Sequence, residues 1–211
     1  MLKRSLDVLL AGLLLAASLP FLALLALAIR LESPGPALFR QTRMGRGFRP
    51  FALLKLRTMG GHGEEHPFTL GEDPRITRLG RWLRRNKLDE LPQLWNVLRG
   101  QMSMVGPRPV IPSLVFEFRT AYRQLLTVRP GLTDPATIKY CRETELLAQA
   151  AHPMAYFKRI VTPDKLRISA DYLQRATLWS DLGVLLRTAG ALLPVKRGKA
   201  APRLSPFAGV R

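Results

Sequence analysis

The chain has 211 residues, 47% of them hydrophobic, which is enough for one packed domain of ordinary size with an appendage. Its 33 Lys+Arg against 15 Asp+Glu give a formal net charge of +18, so its partners are anionic: nucleic acid, anionic lipid or phosphorylated small molecules. A single cysteine, Cys141, excludes an intramolecular disulfide and fits a reducing compartment.

From Val8 to Ile29 the chain reads "VLLAGLLLAASLPFLALLALAI" without a charge, and about 20 such residues suffice to cross a bilayer core. The run is too long for the apolar region of a cleavable signal peptide, and Arg30-Leu31-Glu32 offers no small-residue cleavage site. Two features argue against a straight span. Pro20 removes a helical hydrogen bond and kinks the axis, and Ser18 can assist the bend by bonding to a nearby carbonyl. Lys3 and Arg4 precede the run while Arg30, Arg40, Arg43, Arg46 and Arg49 follow it, so both flanks ask for the cytoplasmic side. A re-entrant helix over residues 1–30, entering and returning on one face, satisfies both and is favoured over a kinked span.

"SPGP" (Ser33 to Pro36) ends the helix. Ala37 to Thr42 and Phe51 to Arg57 read as the strands of a β-hairpin. Lys55 and Arg57 share one strand face, with Leu54 and Leu56 on the other, core-facing one. Gly60 to Asp73 reads as a flexible polar loop. Its His62 and His66, with Glu64 and Glu65 between, would bind zinc well only on a helix, which the glycines disfavour.

Helical periodicity follows at Ile76, Leu79, Trp82 and Leu83, and again at Leu88, Leu91, Leu94, Trp95 and Leu98, closing at Gly100. Met104 to Pro112 and Thr127 to Pro135 read as rigid loops. Thr162 caps a further helix with Pro163 at its first position. Trp179, Leu182, Leu185, Leu186, Ala189 and Leu193 form a last apolar stripe, open to either the core or a membrane surface. Residues 31–195 thus read as one cytoplasmic domain, and 196–211 as a basic, disordered tail suited to anionic lipid. The fold class is α+β and mostly helical: a re-entrant membrane helix, a small β-hairpin and amphipathic interfacial helices.

"RRNKLDELPQLWNVLRG" (Arg84 to Gly100) sets two adjacent carboxylates, Asp89 and Glu90, among cations. Pro92 is tolerated in a first helical turn and costs roughly 3 kcal/mol in a helix interior, so the pattern predicts a helix starting at Asp89. On that basis alone the pair is a cap with a first-turn acid. Arg78, Arg81, Arg84, Arg85, Lys87 and Arg108 change the reading: such surroundings hold a carboxylate ionised and neutralise phosphate oxygens that would repel it. An ionised aspartate in that setting suits attack on phosphorus, and Mg²⁺ on a diphosphate takes one or two carboxylates. Glycoside hydrolysis needs two acids facing each other at about 5–9.5 Å, which sequence neighbours rarely do.

Four stretches, "KRSLDVLLA", "GPALFRQTRMGRGFRPFALLKLRTM", "DPRITRLGRWLRRNKLDELPQLWNVLRGQMSMVGPRP" and "RPGLT", resemble in order and content the bacterial sugar transferases, or monotopic phosphoglycosyl transferases. The resemblance covers most of residues 3–133. It implies transfer of a phosphosugar from a nucleotide diphosphate sugar, usually UDP-linked, to polyprenyl phosphate on the cytoplasmic face of the bacterial inner membrane. It implies ping-pong chemistry in which Asp89 takes the phosphosugar and releases UMP, with Glu90 as partner and Mg²⁺ at the pair. Lys55, Arg57, Arg84, Pro107, Arg108 and Arg142 are the substrate-binding positions it implies, and Ser18 and Pro20 the membrane kink.

The chain departs from the family pattern where Leu19 replaces the serine often found before the kink proline, and where "DPATIKYCRETELL" replaces the usual Gly-Trp-Ala continuation. By length it resembles the small, catalytic-module form, whose members often form homodimers. The competing reading is a non-enzymatic, membrane-anchored basic protein, which leaves "LDELPQ" and "GPRP" without a use. Aromatics interleaved for base stacking are absent, so nucleic acid is not an expected partner.

Overall fold

The computed structural model describes residues 2–60 and 73–192. The zinc reading at His62 and His66 and the basic tail from Lys196 fall outside the described residues.

Helix α1 (Leu2–Glu32) is continuous through Pro20 and is, among the described residues, the one helix long and apolar enough to cross a membrane. Proline leaves the Ala16 carbonyl without its helical donor, and Ser18 Oγ donates to the adjacent Leu15 carbonyl at 3.0 Å. Both ends of α1 are bonded to the rest of the protein. At its start Arg4 donates to the Val97 and Leu98 carbonyls at 2.8 and 3.0 Å, and buried Asp7 accepts from Ser103 Oγ at 2.8 Å and Met104 N at 3.1 Å. At its end the Leu79 amide donates to Glu32 Oε1 at 3.0 Å, while Leu25 and Ile29 pack on Leu56 and Leu83. Between these anchorages Leu13, Leu14, Leu19, Phe21, Leu24 and Leu27 stay exposed.

Strands β1 (Leu38–Met44) and β2 (Pro50–Leu56) form the expected antiparallel hairpin, in register from Leu38↔Leu56 to Met44↔Pro50. Gly47 turns the chain at φ 65°, a conformation glycine adopts without steric cost. The face assignment of β2 differs from expectation. Phe51 and Leu53 are buried against Ala11, Leu94 and Val97, so Lys55, two residues on, continues the covered face. Leu56 is buried on the opposite face, against α1. Both faces of this strand end are covered, and alternation alone could not say which is core.

α2 (Arg78–Arg85) starts at Thr77, whose Oγ1 caps Gly80 N at 2.9 Å. Ile76 precedes it in an isolated bridge with Met59, so only the later part of that predicted periodicity is helical. A 3₁₀ turn, Leu88–Glu90, separates α2 from α3 (Gln93–Leu98), whose N-cap is Pro92. The predicted start at Asp89 is therefore early. Asp89 sits in its own turn and caps nothing in α3. Buried Asn96 ties α3 to β2 by accepting from Leu54 N at 3.0 Å and donating to the Ala52 carbonyl at 2.8 Å.

Two stretches expected as loops contain strands β3 (Ser103–Val105) and β4 (Gly131–Thr133), a parallel pair. They cross so closely that a Cβ on Gly131 would lie 2.1 Å from Gly106 N, and only a residue without one fits. Short helices α4 (Pro112–Glu117) and α5 (Arg119–Leu125) link the two strands. After β4 come α6 (Pro135–Lys139), α7 (Glu143–Ala148) and α8 (Pro153–Tyr156). Thr162 is not a cap: a π-helical turn, Phe157–Val161, runs straight into α9 (Thr162–Arg175). In α10 (Leu178–Leu192) Val184 is core, whereas Trp179, Leu182 and Leu186 are exposed at 82%, 45% and 65%. Leu185 packs against the core beside Val184, so the apolar stripe is divided between core and surface.

Candidate active site

Asp89 and Glu90 lie where β2, the 3₁₀ turn and the loop after β3 meet. Lys87 adopts a left-handed φ of 56° just before the turn, so the chain reverses sharply after α2 and presents both carboxylates. They then diverge in role.

Glu90 Oε1 accepts from Lys55 Nζ at 3.1 Å and pairs with Arg108 through Nη2. Burial pushes the Glu90 carboxyl up, but the charges of Arg108 and Lys55 more than reverse it, leaving it well below the ordinary carboxylate range. Asp89 goes the other way. It is buried, and desolvation raises its carboxyl above the ordinary value against the opposing pull of Lys55, with Glu90 adding to the rise. The expectation that the cations depress both pKa values holds for Glu90 and fails for Asp89, where desolvation outweighs the pull of Lys55, Lys87 and Arg84. Asp89 Oδ1 is a buried oxygen without a hydrogen bond. Such an atom costs about 1–3 kcal/mol while it stays unpaired.

The surrounding cations are held in place. Arg84 Nε donates to Thr58 Oγ1 at 2.7 Å, and its charge bears on Asp89. Arg108 Nη1 reaches the Leu132 carbonyl at 3.4 Å. Pro107 is buried, and its carbonyl accepts from Gly131 N at 2.9 Å, so the β3–β4 crossing sets where Arg108 emerges. Burial also lowers the Lys55 ammonium against the attraction of Glu90.

Two expected substrate positions are engaged elsewhere. Arg57 donates to the Ser33 and Pro34 carbonyls at 2.6 and 2.8 Å and so fastens the end of α1. Arg142 is exposed and pairs with Glu145 Oε2 at 2.5 Å on α7. Strand alternation placed Arg57 beside Lys55, but the chain leaves β2 at Leu56 and the alternation ends there. Two residues near the site had no sequence signal. Thr58 fixes Arg84, and Glu143, whose Oε2 accepts from Lys165 at 2.6 Å and whose charge reaches Arg108, has a buried Oε1 without a partner.

A divalent cation fits the pair in one respect. Among the described residues no three His, Cys, Asp or Glu side chains converge, so protein ligands alone make no cage. Mg²⁺ needs none: it takes one or two carboxylates and completes its shell with phosphate oxygens and water. Asp89 Oδ1 is the uncommitted donor, since Glu90 Oε1 already serves two cations.

The chain is similar to several known proteins. A protein of Caulobacter vibrioides named UDP-glucose:undecaprenyl-phosphate glucose-1-phosphate transferase is 45% identical over 206 residues, covering 90% of this chain and 69% of its own length. The undecaprenyl-phosphate glucose phosphotransferase of Komagataeibacter xylinus is 39% identical over 199 residues, with 88% of this chain and 35% of that protein covered. An Escherichia coli protein with the same name as the Caulobacter one is 37% identical, and the match spans 39% of it. The sequence profile of the bacterial sugar transferases matches residues 1–194, and the chain belongs to that family.

Proposed function

We propose that the protein transfers a sugar-1-phosphate from a UDP-sugar to undecaprenyl phosphate at the bacterial inner membrane, with Asp89 as nucleophile. The observation that carries the reading is the divergence of the two carboxylates. Glu90 is neutralised by Lys55 and Arg108, while Asp89 keeps an unpartnered oxygen within reach of the Lys55, Lys87 and Arg84 charges. An Asp89 oxygen attacks the phosphorus that bears the sugar, forming an acyl-phosphate bond, and the bond to the bridging oxygen breaks to release UMP. An oxygen of the lipid phosphate then attacks the same phosphorus and displaces the Asp89 carboxylate, giving the diphosphate-linked sugar. Lys55, Arg84 and Arg108 neutralise charge on the phosphoryl oxygens throughout. Mg²⁺, held by Asp89 or Glu90 with phosphate oxygens, would supply further neutralisation of the diphosphate.

The names of the relatives support the donor and acceptor classes; they differ in the sugar, glucose in some and N-acetylgalactosamine in others. Support for a re-entrant α1 comes from its two anchored ends. A straight helix of 31 residues is about 46 Å long and a bilayer core about 30 Å thick, so a spanning helix would separate those ends. Here Arg4 and Asp7 at one end and Glu32 at the other bond to the same body. UMP release from UDP-glucose, strong with the parent chain and lost in Asp89→Asn, is the test of the reading. Equal release by both would remove Asp89 from the chemistry.

A further inference from the structure

The donor chemistry leaves one large groove without a role. It lies between the second half of α1 and strand β1, has a volume of about 760 Å³, and is lined by Ala26, Arg30, Pro36, Leu38, Phe39 and Arg40. Two kinds of surface meet there. Leu24, Leu27 and Leu31 on α1 and Leu38 and Phe39 on β1 are exposed apolar side chains, continuous with the apolar face of the membrane helix. Arg30 and Arg40 bring two guanidinium groups to the same groove, and among the described residues neither makes a hydrogen bond or ion pair. Two unpaired guanidinium groups on one cavity wall favour a doubly charged oxyanion.

One lining residue connects the groove to the carboxylate pair through the hairpin. Phe39 lines it and is the cross-strand partner of Lys55, whose Nζ donates to Glu90 Oε1 at 3.1 Å. An apolar chain attached to an anion held there would run along α1.

We propose that this groove docks the polyprenyl phosphate acceptor, with Arg30 and Arg40 on its phosphate and the isoprenoid chain against α1, Leu38 and Phe39. The inference rests on the transferase reading above and adds where the acceptor sits. Charge separates this occupant from bulk lipid. A phosphate monoester carries roughly −1.5 to −2 at pH 7, matching two guanidinium groups, whereas a phospholipid diester carries a single charge. Inorganic phosphate matches the charge but leaves the apolar wall uncovered.

The test uses the full chain in nanodiscs of phosphatidylcholine and phosphatidylglycerol, labelled with a diazirine-bearing polyprenyl phosphate and mapped by peptide mass spectrometry. The expected label falls within residues 26–40 and is competed by unlabelled undecaprenyl phosphate, but not by added phosphatidylglycerol or inorganic phosphate. In transfer assays Arg30→Gln and Arg40→Gln are each expected to raise the acceptor KM about tenfold, the scale of one charge-assisted hydrogen bond, with the donor KM within about twofold of the parent. Arg30→Lys and Arg40→Lys, which keep the charge, retain most of the affinity and report that the chain folds. Label outside the groove, displacement by phosphatidylglycerol, or an unchanged acceptor KM would overturn the proposal. Labelling needs no donor, so groove labelling without UMP release from UDP-sugar counts against the donor chemistry alone. UMP release with labelling elsewhere counts against the groove alone.

Discussion

Arg108 pairs with Glu90 and not with Asp89, although the two acids are adjacent in the chain. That one pairing divides the pair into a neutralised acid and one with an oxygen to spare, the proposed nucleophile. Removing Arg108 should therefore do more than remove a phosphate contact. Arg108→Ala leaves Glu90 with Lys55 alone, and Arg108 is about a third exposed, which reduces the loss below that of a fully buried pair. The expected outcome is a stability loss of about 1–2 kcal/mol, read as a lower thermal midpoint in detergent, and a fall in kcat/KM of about a hundredfold or more.

The pKa values of the two carboxylates are shifted in opposite directions. Desolvation raises the Asp89 pKa, so acid protonates the nucleophile earlier than an ordinary aspartate, and the acidic limb of the UMP-release profile should lie above about pH 3.9. Lys55 is the largest of the charges holding it down. Lys55→Met should therefore move that limb to higher pH, besides slowing the reaction. An acidic limb that stays put in this variant would contradict the assignment. Glu90 is depressed in the folded protein, so its contribution to stability is complete above the unfolded pKa of about 4.3 and is lost as pH falls further.

The crossing of β3 and β4 sets Arg108 through a backbone contact, and a methyl group should break it. Gly106→Ala places a Cβ 2.7 Å from the Arg129 carbonyl, and Gly131→Ala places one 2.1 Å from Gly106 N. Each should cost about 1–3 kcal/mol or more and lower activity beyond the loss of folded protein. Gly183→Ala on α10 meets nothing within 4 Å and replaces glycine inside a helix, so it should be neutral or stabilise by about 0.5–1 kcal/mol. Thermal midpoints of the three variants check the contrast.

The proposed re-entrant course of α1 has a labelling consequence. In a Cys141→Ser background, Leu2→Cys and Glu32→Cys should both resist a membrane-impermeant maleimide added outside spheroplasts and both react after permeabilisation. Reaction of Leu2→Cys alone from outside would instead mean a span. Asp7→Ala should loosen the same anchorage by about 1–3 kcal/mol, because it strands the buried Met104 amide.

Periodicity made the hairpin, α3 and the long apolar helix readable, and composition exposed the charged pair. What stayed hidden was decided by contacts distant in sequence. Lys55 and Arg57 are equivalent under strand alternation, yet the end of β2 sends one to Glu90 and the other to the Ser33 carbonyl. Trp82 and Trp95 fit apolar stripes but are exposed at 46% and 48%, because α2 and α3 turn Leu83, Leu94 and Val97 inward. Three-residue strands flanked by glycine and proline are too short to show a period, so β3 and β4 read as loop. The sign of the Asp89 shift could not be read from nearby cations, since burial outweighs them.

The central claim is a bond between Asp89 and a sugar-bearing phosphorus, and intact mass spectrometry of the protein with UDP-sugar alone tests it most directly. The expected result is release of about one UMP per chain together with the added mass of one sugar phosphate, mapped to the Asp89 peptide and absent in Asp89→Asn. UMP release with no adduct on the trapped protein, or an adduct on any other residue, would contradict it.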